Sequence, residues 1–148
     1  MSKQTETKIL NYIDEHRDEL VDFLRDLIRF KSICPVNPGE KPFEEKGIQE
    51  FICKKLEEIG FETDLWEPDA DYLKTKYEGR PGYVPNRDFK DRPVLCGRFK
   101  GKGKGKSIIL LGHVDVVSAE PLSSWTHDPW GGEVKNGMLY GRGSADMK

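Results

Sequence analysis

The sequence lacks most of the features that announce a location or a partner. No apolar run approaches the roughly 20 residues that span a membrane. The first 30 residues interleave charges with apolar positions where a secretory leader would carry a continuous apolar core. The cytoplasm is therefore the expected location, with no membrane partner. Cysteine is scarce: Cys34, Cys53 and Cys96 are the three, widely spaced and without a Cys-x-x-Cys pair. That excludes a zinc knuckle or dithiol redox centre and leaves free thiols, expected to pack as small apolar side chains. Neither sign of charge dominates, with 24 Lys and Arg against 26 Asp and Glu and a formal net charge of -2. Without a global basic field the chain has no means of collecting nucleic acid or an anionic membrane, and a small-molecule substrate is expected. No segment recurs at a period of roughly 20 to 50 residues, which removes repeat architectures.

What is present reads as an α/β protein. Counted with Gly and without Tyr, apolar residues make up about 43% of the chain, just under the roughly 45 to 50% usual for soluble domains. Ile9, Ile13, Leu20, Leu24, Leu27 and Ile28 recur at helical spacing and predict one long amphipathic helix over 5–30, with His16 a satisfied residue on its apolar side. Pro35, Pro38 and Gly39 then break the chain. Pro42 suits the first turn of a second helix, whose stripe is Ile48, Ile52, Leu56 and Ile59 and whose stop is Gly60. Residues 61–66 read as a strand, and the Pro-, Gly- and charge-rich stretch to Arg92 as a long excursion. Residues 94–99 and 107–114 are strand candidates joined by a Gly-Lys hairpin loop, and 138–140 is a further short strand. The unbroken run Ile108-Ile109-Leu110-Leu111 predicts a strand buried on both faces.

The chemistry concentrates near the end of this order. His113 and Asp115 stand two apart at the carboxyl end of the apolar run, so continued strand geometry points both side chains to one side. Open α/β sheets bind ligands at that end. A neutral imidazole is a good zinc ligand, and a carboxylate on its other nitrogen fixes its tautomer and raises its basicity, the role open to Asp115. Asp146 follows 33 residues later, after Gly141-Arg142-Gly143, a turn that lets backbone approach closely. Its two oxygens could bridge two cations roughly 3.5 to 4 Å apart.

Three segments in order resemble the amino-terminal motifs of the M20 metallopeptidase and deacylase family. They are Gly112-His113-Val114-Asp115-Val116-Val117, Trp125-Thr126-His127-Asp128-Pro129-Trp130, and Gly137-Met138-Leu139-Tyr140-Gly141-Arg142-Gly143-Ser144-Ala145-Asp146-Met147-Lys148. The upstream helices and residues 92–98 are similar to its acetylornithine deacetylase and succinyl-diaminopimelate desuccinylase branch. The resemblance implies that His113 binds one zinc, that Asp146 bridges two, and that Asp115 orients and polarises His113. It implies an amide hydrolase, cleaving an N-acyl amino acid or a peptide with a water activated by a dinuclear zinc centre, Co2+ being the alternative metal. On this reading residues 1–148 are the amino-terminal part of a zinc-hydrolase catalytic domain. That domain would be a partial three-layer α/β unit with a mixed sheet flanked by helices. Its general base, further ligands, carboxyl-terminal part and lid would lie beyond Lys148, and the lid would carry a homodimer interface. The chain alone is then expected to be inactive. The rival class is a non-catalytic binding or assembly protein on the same scaffold, distinguished by the lack of a downstream Glu-Glu pair.

Four features are set aside. Glu44-Glu45 and Glu57-Glu58 precede His113 on the second helix and are expected as solvated charges rather than a catalytic pair. His127 has no metal role in the resemblance, and Trp125 and Trp130 are expected to anchor their loop by packing. Residues 101–107 mimic a phosphate loop but fail on register, since position 100 is Lys100, and on context, since a strand-like run follows. The lysines of 100–106 are expected as a solubilising turn.

Overall fold

The computed structural model describes residues 2–35, 44–103 and 105–148. Pro38, Gly39, Pro42 and Lys104 lie outside them. The elements run α1 (Lys3–Glu15), α2 (Arg17–Arg29), α3 (Glu45–Glu58), β1 (Glu62–Trp66), α4 (Ala70–Tyr77), β2 (Val94–Arg98), a short 3-10 turn (Leu122–Ser124), β3 (Glu133–Lys135) and β4 (Met138–Tyr140). Among these, no helix is long and apolar enough to cross a membrane.

The expected long first helix is two. His16 separates them at φ -107 and ψ 18, its ring stacked on Tyr12 at 3.9 Å with Nδ1 2.8 Å from the Tyr12 carbonyl. The His16 N–H keeps its helical bond to the same carbonyl at 3.1 Å, so the ring adds a second donor there, and the helix restarts at Arg17. α3 stops where its sequence says it should: Ile59 is the cap and Gly60 follows at φ +89, the left-handed position that glycine takes without a Cβ penalty. The excursion before Arg92 contains α4, whose start is set by Asp69. Its carboxylate accepts from the backbone N–H groups of Asp71 and Tyr72.

The strands form two separate antiparallel pairs, β1 with β2 and β3 with β4. β2 pairs with β1, Leu65 opposite Leu95, and not with 107–114. The expected single mixed sheet is therefore replaced, among the described residues, by two hairpin-like sheets and one isolated parallel bridge, Ile33 with Val116. Asn136 and Gly137, both at positive φ, make the tight turn joining β3 to β4. The run 108–111 departs most from expectation. It belongs to no strand, and its side chains are 81 to 92% exposed. A strand apolar on both faces needs two covering layers, and the described residues supply neither.

The core is small and lies where α2 ends and α3 begins. Leu27, Ile28, Ile48, Val116 and Ala119 are its buried apolar members, with Ser32 and Glu45 buried beside them. Glu45 corrects the expectation of solvated charge. In the first turn of α3 it faces Arg92, the two joined at 2.9 Å with side chains 10% and 11% exposed. The thiols also differ from expectation, since Cys96 is exposed while Cys34 and Cys53 are half-buried.

Two glycines let the end of the chain rest on this core. A Cβ at Gly141 would stand 2.5 Å from Ile28 Cγ2, and one at Gly143, already at φ +91, would stand 2.9 Å from Val116 Cγ1. Only residues without a side chain allow this approach. Gly141→Ala is expected to cost about 1–3 kcal/mol through overpacking against Ile28, read as a lower urea midpoint; an unchanged midpoint would mean that the turn does not rest on Ile28. Ile109→Lys combined with Leu111→Lys is expected to raise the monomeric fraction in size-exclusion chromatography with light scattering, because an unpaired apolar run is an association surface. Identical elution of the parent and the double variant would refute that assignment.

Candidate metal centre

Two pieces of backbone bring the predicted residues together. The first is 114–116, sewn to 32–34: Ser32 Oγ donates to the Val114 carbonyl at 2.6 Å, Val116 N–H to the Ser32 carbonyl at 2.9 Å, and Cys34 N–H to the Val116 carbonyl at 2.9 Å. Val116 is buried by this attachment, 4% exposed, which fixes the backbone on which Asp115 sits and from which His113 extends. The second is the turn over 141–148. Arg142 N–H donates to the Pro129 carbonyl at 2.7 Å and Lys148 N–H to the Gly143 carbonyl at 2.9 Å. Lys148 Nζ reaches the carbonyls of Leu27 and Phe30 at the end of α2, satisfying groups that a helix terminus leaves open. Burial there pulls the Lys148 ammonium down to about 8.

Where the two pieces meet, His113 Nε2 stands 3.0 Å from Asp146 Oδ1. On the other side of the ring, Nδ1 stands 3.0 Å from the backbone carbonyl of Asp115 and 3.4 Å from its Oδ1. Asp115 thus contacts the imidazole mainly through its main chain, where sequence reasoning assigned that contact to the carboxylate. A carbonyl can only accept, so Nδ1 carries a proton. In the neutral ring Nε2 is then a lone pair facing an anionic oxygen, an arrangement that asks for a positive charge between or on the partners. A proton on Nε2 would answer it. The Asp115 carbonyl is the largest influence holding the His113 pKa above 6.5; desolvation opposes it, and the hydrogen bond to Asp146 with the charges of Asp115 and Asp146 adds to it.

A divalent ion would answer the same need. Two donors of a tetrahedral zinc with bonds of about 2.0–2.1 Å lie about 3.3 Å apart, so the 3.0 Å between Nε2 and Oδ1 would have to open by only a few tenths of an ångström to admit one. Asp146 is 89% exposed and His113 46% exposed at the side chain, leaving an approach for the ion. The pair supplies two donors of a usual four, and no cluster of three or more potential ligands occurs among the described residues.

The structure also shows groups that sequence reasoning missed. Beneath Asp115 lies the Glu45–Arg92 pair, whose Glu45 Oε1 is buried without a partner among the described residues. Burial pushes the Glu45 carboxyl up, Arg92 offsets this in part, and the charge of Asp115 pushes the same way as burial. Arg92 and Arg87 each donate to Cys34 Sγ at 3.4 Å. No spacing rule links residues 34, 45, 87 and 92, and only the fold assembles them.

The features set aside find structural roles. His127 Nδ1 stands 2.8 Å from Glu133 with its ring 4.0 Å from that of Tyr140, and it takes no part in the His113 cluster. Trp125 Nε1 donates to the Ala119 carbonyl at 2.9 Å and carries the Arg142 guanidinium over its face at 4.9 Å, which anchors the loop as expected.

Residues 109–148 match the family model described as Peptidase family M20/M25/M40. The chain is 33% identical over 138 residues to the N-formyl-4-amino-5-aminomethyl-2-methylpyrimidine deformylase of Bacillus subtilis (strain 168), covering 92% of itself and 26% of that protein. It is 36% identical over 128 residues to the succinyl-diaminopimelate desuccinylase of Wolbachia pipientis subsp. Culex pipiens (strain wPip), covering 86% and 25%. The chain thus spans about a quarter of the length of these relatives. Its fold is that of the corresponding part of human carnosine dipeptidase 1, with a TM-score of 0.68 at 23% identity over 95% of this chain and 27% of that one. Motifs and relatives agree, and the chain belongs to peptidase family M20/M25/M40.

Proposed function

We propose that this chain carries the first part of a metal-dependent amide-hydrolase centre, in which His113 and Asp146 grip a divalent cation, zinc by donor chemistry, and Asp115 positions His113. The observation that carries the reading is the 3.0 Å approach of Nε2 to Oδ1 with Nδ1 committed to a carbonyl. An imidazole nitrogen with one carboxylate oxygen is a zinc-type donor set, with cobalt(II) the alternative. Bound zinc supplies Lewis-acid stabilisation and an activated water. The residues of this chain do the rest: the Asp115 carbonyl holds Nδ1–H and so aims the Nε2 lone pair outward, and the second oxygen of Asp146 is free to reach another cation. The names deformylase and desuccinylase support removal of an acyl group from nitrogen, and an N-acyl amino acid or peptide is the substrate class proposed here. A working centre needs more donors and a general base, and the relatives, of which this chain spans about a quarter, have the length to carry them. The same length would complete the three-layer domain, a lid and a dimer interface. The 148-residue chain itself is inactive on this reading.

Zinc added to the chain is expected to shift the imidazole 15N resonances of His113, and His113→Ala or Asp146→Asn to abolish zinc uptake seen by calorimetry. Zinc that leaves the His113 signals unmoved would sink the reading. Stoichiometric tight zinc with turnover of an N-acyl amino acid by this chain alone would show that the centre is already complete.

The pH dependence follows from the raised His113 pKa. Its folded value exceeds the unfolded 6.5, so the contact contributes fully below pH 6.5 and is lost as pH rises through the elevated value. Zinc uptake runs the other way and strengthens across that window as the proton leaves. Asp146→Asn removes one of the raising influences and is expected to lower the His113 midpoint in an NMR titration; an unmoved midpoint would mean that Asp146 does not bear on the ring.

A further inference from the structure

The excursion between β1 and β2 forms a cavity, half open to solvent, that the metal reading does not use. Its volume is about 370 Å³, and Leu73, Tyr77, Tyr83, Val84, Phe89 and Arg87 are among the residues that line it. That is within the range of small-molecule sites, and so is the composition, an apolar and aromatic body with one cation. The wall is built by one continuous stretch, α4 and the turns after it. From Ala70 to Arg92 the chain has six Lys or Arg against four Asp or Glu, whereas the whole chain is net -2. The Arg80 guanidinium lies 5.9 Å over the Tyr77 ring, adding a second cation beside the same wall.

Arg87 differs from its neighbour Arg92. Arg92 is committed to the buried Glu45 at 2.9 Å, while among the described residues Arg87 makes no ion pair within 4 Å, although Glu45 is near enough to feel its charge. Its one side-chain hydrogen bond among them is from Nη2 to Cys34 Sγ at 3.4 Å. A guanidinium has five donors in a planar fork suited to a carboxylate. The same cysteine is tied by its N–H to the Val116 carbonyl, one residue beyond Asp115. The cationic wall of the cavity therefore backs onto the segment that presents His113.

We propose that this cavity is a binding site for a small carboxylate with an aromatic or branched apolar body, the body lying among Tyr77, Tyr83 and Phe89 and the carboxylate meeting Arg87. That this ligand is the amino-acid end of the amide substrate rests on the hydrolase reading; the site itself does not. Charge decides between the acid and its neutral analogues, since desolvating an unpaired guanidinium beside an uncharged ligand gains nothing. The apolar walls decide between a bulky acid and a compact one.

The test uses the 148-residue chain and three probes: N-acetyl-phenylalanine, its uncharged amide N-acetyl-phenylalaninamide, and N-acetylglycine. The acid is expected to perturb the aromatic NMR signals of Tyr77, Tyr83 and Phe89 at millimolar concentration, with the amide and the glycine derivative each at least about tenfold weaker. Arg87→Met should weaken the acid about tenfold, Arg87→Lys should restore part of the loss, and Tyr83→Ala should weaken acid and amide alike. Lys135→Met, an exposed position on β3, should bind the acid as the parent does. Equal binding of acid and amide, or perturbations confined to residues elsewhere, would overturn the proposal. If the acid binds through Arg87 while zinc leaves His113 unmoved, the carboxylate site stands and only its link to amide hydrolysis falls.

Discussion

The arrangement depends on a contact that only glycine permits. Gly141 lies against Ile28, and Gly143 against Val116, at distances that would put a Cβ at 2.5 and 2.9 Å from side-chain carbons. Ile28 is fully buried at the end of α2, and Val116 is held to the strand-like segment 32–34 by paired backbone bonds. The turn that carries Asp146 is thereby pressed onto the same two residues that anchor the backbone beneath His113 and Asp115. Lys148 closes the turn from its other side by reaching the terminal carbonyls of α2. Ligand convergence across 33 residues of sequence thus follows from packing, the contacts of Gly143 with Val116 and of Gly112 with Met147 joining the two motifs alongside the imidazole and carboxylate.

The electrostatics of that convergence are unbalanced by design of the backbone. An acceptor-only carbonyl on Nδ1 and a carboxylate on Nε2 surround one ring with negative potential, which either a proton or a cation at Nε2 would relieve. On the proposed reading, proton and metal would compete for that one position. Just below, the Glu45–Arg92 pair is nearly excluded from solvent, and removing either partner would strand the other charge in a low-dielectric setting. Cys34 joins the two regions, accepting from Arg87 and Arg92 through sulfur while its N–H holds Val116.

Much of this was legible in sequence, for reasons that differ by element. β1 and the end of α3 at Gly60 follow from period and from glycine chemistry, local rules that tertiary packing did not override. The convergence of His113, Asp115 and Asp146 was legible because His-x-Asp at the end of an apolar run and Gly-x-x-Asp after a turn are short patterns with a mechanism. The hairpin β3–β4 could have been read from Asn136-Gly137, the strongest short signal for such a turn, but only its second strand was anticipated. α4 could have been read from Asp69 as a cap before Ala70. The break at His16 and the burial of Glu45 were not legible. At one the ring of His16 stacks back on Tyr12, and the other depends on Arg92 arriving from 47 residues away.

The run 108–111 shows where local rules stop. Its unbroken apolarity predicts cover on both faces, which the described residues do not provide, because cover is a property of what packs against it. Burying four aliphatic side chains would stabilise by about 6–12 kcal/mol in total, comparable to the whole apolar core the chain builds from Leu27, Ile28, Ile48, Val116 and Ala119. His113 therefore stands at a junction: on its carboxyl side the backbone is pinned through 114–116, and on its amino side it continues into a segment with no ladder partner. With one flank uncovered, the orientation of the imidazole falls to the groups that touch it. The Asp115 carbonyl and the Asp146 carboxylate consequently do more than tune the ring, since they are what holds it in place.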